Sequence, residues 1–373
     1  MKAKIVVGLQ FGDEGKGLTT DYLSSLDSDL DKIVVRFSGG QQAGHNVKIG
    51  NITHVHSNYG SGTLRGFPSY FSDHCTFYPN SIYKERKTLL SKNVDPILYL
   101  NPLCKLTTPG DFAFNRVREK RLGHGSCGMG IGTTMSRNIN TGYKLYAIDL
   151  LCLHILKQKV ENIREYYFSQ IKDIYEAEYF INTYNTQAEL FFKAIDETKF
   201  NIKDYSFLRN YDEIIFEGSQ GILLDMDHGI FPNVTFSNTT SRNALEICNK
   251  IGISHSDIEI FYISRCYQTR HGNGWMSNND PIKLINNEDE INVFNEWQTN
   301  FRIGEIDYSL IDYALSIDTI YSKGIKRNLV ITCIDQRPDF KLGNDLLKVL
   351  DNQLFWSVWT SNSPSSETFL KVK

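Results

Sequence analysis

The sequence predicts an α/β fold with a large central, mostly parallel β-sheet flanked by helices. Short apolar runs rich in β-branched residues recur along the chain, and helical patterns lie between them, as is typical of buried parallel strands. The first run leads directly into a glycine-rich loop and a helix, an order of elements that favours anion binding at the sheet edge. The predicted strands are Ile5–Val7, Ile33–Val35, Ile214–Phe216, Ile258–Ile263 and Leu329–Ile334.

The loop after the first strand carries Gly12, Gly15 and Gly17 together with Asp13 and Lys16. Backbone N–H groups and the dipole of the following helix converge in such a loop, so we expect it to bind phosphate. It is not a Walker A motif, which needs Ser or Thr where this chain has Gly17. Asp13 adds a carboxylate beside the anion, which indicates a magnesium ion or a proton to be removed. An ordinary glycine turn is the alternative.

Composition restricts the function classes. The 373-residue chain has a net charge of −3, which argues against a nucleic-acid-binding face. It lacks both the ~20-residue apolar stretch of a membrane span and a signal-peptide pattern, so we expect a cytoplasmic protein without membrane contact. The seven scattered cysteines form no CxxC pair, which argues against a disulfide framework and a structural zinc site. We expect one domain over residues 1–373, with a helical insertion at about 147–203.

Two later segments carry further polar residues. Residues 38–46 form a second glycine loop that ends in an amide and an imidazole, and residues 217–229 read Glu-Gly-Ser-Gln-Gly-Ile-Leu-Leu-Asp-Met-Asp-His-Gly. Asp13 and His45 on the two glycine loops are a base and an acid of the kind that proton-coupled phosphoryl transfer requires. A buried structural role is the alternative for His45.

These motifs, in this order, resemble those of the adenylosuccinate synthetases, GTP-dependent ligases that join L-aspartate to inosine monophosphate. The resemblance implies a P-loop-like nucleotide-binding ligase fold and a homodimer. It implies that Asp13 removes the proton from N1 of the purine and binds Mg²⁺ together with the Gly44 carbonyl. His45 would stabilise the transferring phosphoryl group as an acid, and Lys16 would neutralise phosphate charge.

The resemblance also places nucleotide-binding residues along the chain. Gln220 matches a glutamine that contacts the purine, and Thr239 and Thr240 match threonines near the 5′-phosphate. Residues 125–132 resemble a phosphate loop in which threonine has become Cys127 and arginine has become Met129. A nucleophilic Cys127 is a further hypothesis. The full implied set is Gly12, Glu14, Gly15, Gly17, Gln42, Ser126, Cys127, Arg137, Gln220, Thr239, Thr240 and Asp335.

Two of these residues have specific implied roles. Arg137 is the candidate for an arginine that reaches across the dimer to the phosphate, with an ordinary surface arginine as the alternative. Asp335 matches the aspartate that accepts hydrogen bonds from guanine, which favours GTP over ATP because adenine lacks both donors. Cys333 replaces the lysine expected two residues earlier, so this pocket has changed.

The amino-acid loop departs most from the family pattern. Of its usual arginine cluster only Arg302 remains, and Thr299 precedes it in a loop about three residues shorter. Arg270 is the candidate for a second cation at the substrate carboxylates. Alternatively, Arg302 caps the helix predicted to start near Asp307, or the second substrate differs.

The acceptor nucleotide therefore has alternatives. The favoured one is an IMP-like purine nucleoside monophosphate, with GTP, Mg²⁺ and L-aspartate. A phage-like ligase acting on dGMP is the second, although such enzymes tend to replace the Asp-Glu pair that this chain retains at Asp13 and Glu14. The third is a nucleotide sensor without turnover, which would need no base.

Overall fold

The structure is a computed structural model that describes residues 1–123, 125–280, 282–286, 297, 301–337, 339–340 and 355–373. The α-helices are α1 Lys16–Ser25, α2 Pro79–Leu90, α3 Pro109–Leu122, α4 Ile131–Asn140, α5 Leu153–Phe168, α6 Ile174–Glu197, α7 Arg242–Ile251 and α8 Tyr308–Ser322. The strands are β1 Lys2–Gly8, β2 Lys32–Arg36, β3 His45–Ile49, β4 Ile52–His56, β5 Ser69–Phe71, β6 Thr76–Phe77, β7 Leu98–Leu100, β8 Lys105–Leu106, β9 Asn201–Ile202, β10 Glu213–Gly221, β11 Ile258–Arg265, β12 Tyr267–His271, β13 Phe301–Glu305, β14 Lys326–Thr332, β15 Ser357–Ser361 and β16 Phe369–Lys371.

A ten-stranded sheet in the order β16-β15-β14-β11-β1-β10-β2-β5-β7-β9 forms the centre of the described structure. Its pairs are parallel, apart from the antiparallel edge pair β15–β16. The predicted α/β fold is confirmed, and the five predicted strands are the five contiguous strands from β14 to β2. Ile5 pairs with Phe216 on one side and with Ile260 on the other, and all three side chains are fully buried.

The sequence analysis did not identify the outer strands. β5 and β7 have three residues each and β9 has two, so each is too short to show a periodic pattern. β14 ends at Thr332, earlier than predicted, because Cys333 adopts a left-handed conformation with φ of 61° and Ile334–Gln336 form a 3-10 turn.

A helical layer stands beside one end of the sheet. α5 and α6 lie within the predicted insertion and pack against α3, and α6 also packs against α2. Phe112, Val160 and Phe191 belong to a hydrophobic cluster that joins these helices to Phe71 of β5 and Leu100 of β7. Among the described helices, none has the length and apolar character needed to cross a membrane.

The parallel arrangement determines where polar loops meet. β1, β10, β11 and β14 run in the same direction, so their carboxyl ends lie along one edge of the sheet. Each of them is followed by residues that the sequence analysis selected. The candidate site is therefore assembled at this edge.

Candidate active site

The glycine-rich loop between β1 and α1 is built around the buried carboxylate of Glu14. Its Oε1 atom accepts hydrogen bonds from the backbone N–H groups of Gln10 (2.8 Å) and Gly12 (3.0 Å), and its Oε2 atom pairs with the ammonium of Lys16. Glu14 thus organises the loop from within. This position differs from the direct nucleotide contact predicted for Glu14, because its carboxylate is fully buried against the loop's own donors.

The loop leads into the N-terminus of α1. Gly15 is the N-cap with φ of 93°, and no side chain caps the first turn. The free N–H groups of this turn therefore suit an anion. Gly17 follows in the same turn, where a β-carbon would come within 2.6 Å of the β-carbon of His45. Glycine thus allows the second glycine loop to pack directly against the first.

Asp13 occupies the middle of the first loop. Its φ of 58° lies in the left-handed region, which is uncommon outside glycine and frequent at functional sites. Its side chain is 24% exposed, and its Oδ2 atom lies 3.1 Å from Nε2 of His271. Burial raises the pKa of Asp13, but the hydrogen bond and charge of His271 and the charges of Arg265 and Lys16 together lower it. The carboxylate is therefore ionised at neutral pH.

His45 forms a buried pair with Glu217, with 2.7 Å between Nδ1 and Oε1. Burial raises the pKa of Glu217, but His45, Arg36 and Ser61 lower it to about 2. Burial lowers the pKa of His45, and Glu217 offsets this effect only in part. His45 is thus neutral in the free protein, donates its Nδ1–H to Glu217 and leaves Nε2 for a ligand. The predicted acid role therefore requires proton uptake, which the charge of a bound phosphate would favour.

Two glutamine amides meet beside the first loop. Nε2 of Gln42 lies 3.5 Å from Oε1 of Gln220. Gln220 adopts φ of 61°, and its Cα lies 3.6 Å from the point where Gly12 would carry a β-carbon. The structure therefore brings both predicted glutamines to the glycine loop, although they are far apart in sequence.

The two adjacent threonines have different surroundings. The Thr239 hydroxyl donates to the carbonyl of Gly221 (2.9 Å), and its backbone N–H donates to Asp225 (2.6 Å). The hydroxyl of Thr240 is buried and, among the described residues, has no hydrogen-bond partner. Thr240 is thus the better placed of the two to bind a phosphate oxygen, since Thr239 is occupied by its own loop.

The loop at 125–132 lies beside the segment that follows β12. A β-carbon on Gly125 would lie 3.3 Å from the backbone nitrogen of Asn273. The hydroxyl of Ser126 accepts a hydrogen bond from Asn115 (3.3 Å). Burial raises the pKa of Cys127 to about 11, so its thiol is protonated at neutral pH. Since the thiolate is the nucleophilic form of cysteine, this pKa argues against a nucleophilic role for Cys127.

Arg137 does not have the position that its predicted role requires. Its guanidinium forms a buried ion pair with Asp111, with 2.9 Å between Nε and Oδ1. Its remaining donors bind the carbonyls of Tyr143 and Leu106. All these partners belong to the same subunit, so this arginine stabilises α4 and is not available to a partner's phosphate. The alternative of a surface arginine is also wrong.

Asp335 lies in the 3-10 turn that follows β14, at the same sheet edge as the glycine loop. It is partly exposed, and its Oδ2 atom accepts a hydrogen bond from the amide of Gln336 (2.8 Å). The left-handed conformation of Cys333 turns the chain after the strand. The carboxylate therefore lies at the sheet edge beside the glycine loop, and its recognition of a guanine base stays a prediction.

The two predicted amino-acid-binding arginines are neighbours. Arg270 on β12 pairs with Arg302 on β13 in the antiparallel ladder. Arg302 donates to the carbonyls of Gly272 (2.9 Å) and Gly274 (2.8 Å) and is partly exposed. It does not cap α8, since Asp307 caps that helix with its own carboxylate.

Arg270 differs from Arg302 in being only 1% exposed. It donates to the carbonyls of Trp275 (2.8 Å) and Asn233 (3.0 Å) and lies 4.3 Å from the ring centre of Phe11. Arg302 is thus the more accessible cation of the pair. Thr299 lies outside the described residues.

Sequence reasoning missed two residues at the centre of the site, Glu217 and His271. Glu217 gave a signal, since it is a carboxylate directly after the buried apolar run of β10. His271 gave none, because only the folded chain brings it next to Asp13.

A family model described as adenylosuccinate synthetase matches residues 5–340. An adenylosuccinate synthetase from Thermodesulfovibrio yellowstonii is 34% identical over 284 residues, which are 74% of this chain and 64% of that protein. One from Chlorobium chlorochromatii is 30% identical over 335 residues, 85% of this chain and 74% of that protein. The chain thus spans less than two thirds of the length of the first of these relatives.

Two solved structures share the fold. A fully ligated adenylosuccinate synthetase from Plasmodium falciparum has a TM-score of 0.72 at 18% identity and is covered completely, as is this chain. A succinoaminodeoxyadenylate synthetase from cyanophage S-2L, bound to dGMP and to dATP as an energy donor, has a TM-score of 0.67 at 15% identity, over 99% of this chain and 95% of that one. From the match over residues 5–340 and the shared fold, the chain belongs to the adenylosuccinate synthetase family.

Proposed function

We propose that the protein is a GTP- and Mg²⁺-dependent ligase that joins L-aspartate to C6 of an IMP-like purine nucleoside monophosphate. The observation that carries this proposal is the ionised, partly exposed Asp13 carboxylate on an anion-binding loop, 3.1 Å from His271. Binding a nucleotide without turnover would not need a carboxylate at this point, where it repels phosphate. A proton acceptor does need it.

The first step is an activation of the purine. Asp13 accepts the proton from N1, and the electron pair released to O6 attacks the γ-phosphorus of GTP. The bond between that phosphorus and the bridging oxygen breaks, and GDP leaves. Lys16 and the N-terminus of α1 offset phosphate charge, and His45, once it takes up a proton at Nε2 in the field of the bound phosphate, donates a hydrogen bond to the transferred group. The amine of aspartate then attacks C6 and displaces phosphate.

The residues present suit a magnesium ion. Asp13 supplies an ionised carboxylate oxygen, and Gly44 supplies a backbone carbonyl from an exposed position directly before β3. Hard oxygen ligands of this kind are those that Mg²⁺ prefers. When bound, the ion would neutralise charge on the phosphates of GTP.

Asp335 supports guanine recognition in this proposal, and Arg302 supports binding of an aspartate carboxylate. In this proposal Gln42 and Gln220 contact the purine nucleotide beside the first loop, and the hydroxyl of Thr240 binds its 5′-phosphate. A homodimer, a cytoplasmic location and the absence of nucleic-acid and membrane partners complete the proposal.

A dGMP-type ligase is the second candidate. The shortened loop with a single arginine favours it, and the cyanophage enzyme is an example of such a ligase on this fold, whereas retention of Asp13 and Glu14 favours IMP. Phosphate release should be measured for IMP, dIMP, GMP and dGMP, each with GTP or ATP and with or without aspartate. Aspartate-dependent release with IMP and GTP supports the first candidate. Release only with dGMP supports the second, and no release with any combination contradicts both.

A further inference from the structure

Three metal-ligating side chains meet away from the glycine loops. His54 and His56 lie on β4, and Glu85 lies on α2. All three are buried, and their ligand atoms lie within 4.8 Å of one another. In the part of the chain that the structure describes, this is the one such group of histidine, cysteine and carboxylate side chains.

The distances within the group match the ligands of one ion better than they match hydrogen bonds. Oε1 of Glu85 lies 3.4 Å from Nε2 of His54 and 3.7 Å from Nδ1 of His56. A good hydrogen bond to oxygen is about 2.7–3.2 Å long. Two ligands of a tetrahedral ion with bonds of about 2.0–2.1 Å are about 3.3–3.4 Å apart. Two of the three ligand–ligand distances thus approach the spacing on one ion, and the distance between the two ring nitrogens is at most 4.8 Å.

His56 supplies an independent observation. Its side chain is 0% exposed, and neither ring nitrogen has a hydrogen-bond partner among the described residues. Buried polar atoms nearly always have a partner, so this imidazole is unusual without one.

The surroundings hold the carboxylate in place and give access. Oε2 of Glu85 accepts hydrogen bonds from the backbone N–H and side-chain amide of Asn58, both at 2.7 Å, which leaves Oε1 toward the histidines. A groove of about 420 Å³, lined by His54, Glu85, Lys84 and others, provides an entry path. The ammonium of Lys92 lies 3.2 Å from Nδ1 of His54 and donates to the carbonyl of Thr53 (2.6 Å). When Nε2 of His54 binds the ion, Nδ1 of this ring carries the proton, so Lys92 keeps only its contact with Thr53.

We propose that His54, His56 and Glu85 bind one divalent transition-metal ion of the zinc class. Two imidazole nitrogens with one carboxylate favour zinc over magnesium, so this site is distinct from the one at Asp13. His56 lies directly opposite His45 in the β3–β4 ladder. The ion would tie α2 to the hairpin that carries His45 and so position that residue.

The test begins with the wild-type chain, freed of metal by a chelator and titrated with ZnCl₂ by calorimetry in excess Mg²⁺. We expect one Zn²⁺ per chain, a higher melting temperature with Zn²⁺, and a visible Co²⁺ spectrum typical of nitrogen and oxygen ligands. Elemental analysis after gel filtration provides a second measure of stoichiometry. Folded wild-type protein that binds no stoichiometric Zn²⁺ overturns the proposal, whatever the variants do.

Variants then locate the ion. H54Q and E85Q should each lose the bound Zn²⁺ and the Co²⁺ spectrum, whereas H154Q, at an exposed helical histidine, should keep both. H271Q tests the active site as an alternative and should also keep the full stoichiometry. Loss of Zn²⁺ in H271Q, or its retention in folded H54Q and E85Q, contradicts the assignment. Circular dichroism establishes folding, and the wild-type titration remains decisive if a variant does not fold.

Discussion

Arg270 and Arg302 face each other across the β12–β13 ladder, and in the described chain neither forms an ion pair with a carboxylate. Burial and the charge of Arg302 lower the pKa of Arg270 to about 10. Two like charges held side by side favour an anion between or beside them. A substrate carboxylate would supply it.

Replacing Arg302 with leucine should therefore weaken the binding of the amino acid far more than the binding of either nucleotide. Loss of a charge-assisted contact costs about 1.5–3 kcal/mol, so we expect the KM for aspartate to rise about 10- to 100-fold. Initial rates with each substrate varied in turn measure this. R209L is the control, since Arg209 also donates to a backbone carbonyl but is exposed and lies on another surface. Equal rises in all three KM values would instead place Arg302 at the nucleotide.

Replacing Asp13 with asparagine should lower kcat by about 10²- to 10⁴-fold. Asparagine tolerates the left-handed conformation at φ of 58°, so the loop should keep its shape, whereas alanine would strain it. Steady-state kinetics and nucleotide binding measured on the same sample separate turnover from affinity. D29N, at an exposed position, should behave like the wild type. A variant D13N with normal turnover would remove Asp13 from the mechanism.

His271 should set the pH at which Asp13 becomes active. Because His271 lowers the pKa of Asp13, the variant H271Q should have a higher Asp13 pKa. Activity that needs the ionised carboxylate rises as pH passes this pKa, so the acidic limb of the kcat/KM profile should move to higher pH. H255Q, at an exposed histidine, should leave the limb unchanged. An unmoved limb in H271Q would show that Asp13 is not the group titrating there.

Glu217 should make stability depend on pH. Its pKa in the folded protein lies below the ordinary value of 4.5, because His45, Arg36 and Ser61 stabilise the carboxylate against the opposing effect of burial. A lowered carboxylate pKa stabilises the fold above the unfolded value, and this contribution is lost as pH falls from about 4.5 toward 2. The free energy of unfolding of E217Q should therefore lie below that of the wild type at neutral pH, and the gap should narrow in acid. Denaturant titrations at several pH values measure the gap, and a constant gap would contradict the prediction.

Asp335 should decide which nucleoside triphosphate is used. In D335N one acceptor for guanine becomes a donor, so the kcat/KM for GTP should fall by about 5- to 150-fold, equivalent to about 1–3 kcal/mol. Use of ATP should change little. The matched variant D257N, at an exposed aspartate, should affect neither. If GTP use is unchanged in D335N, guanine is recognised elsewhere.

The sequence by itself determined the centre of the sheet and the position of the glycine loop that follows its first strand. These features follow from local patterns, because buried strands are continuous apolar runs and the ends of parallel strands meet on one side. The outer strands β5, β7, β9 and β16 carry too few residues for such a pattern.

Only the tertiary structure decided the partners of the site residues. Glu217 contacts His45, which is 172 positions away in the sequence. His271 contacts Asp13, although no sequence pattern connects the two residues. The charge of Arg137 suggests an exposed side chain, but its guanidinium is buried in an ion pair with Asp111. Contacts of this kind depend on how distant segments pack, and burial then sets the pKa of each group, which local periodicity cannot encode.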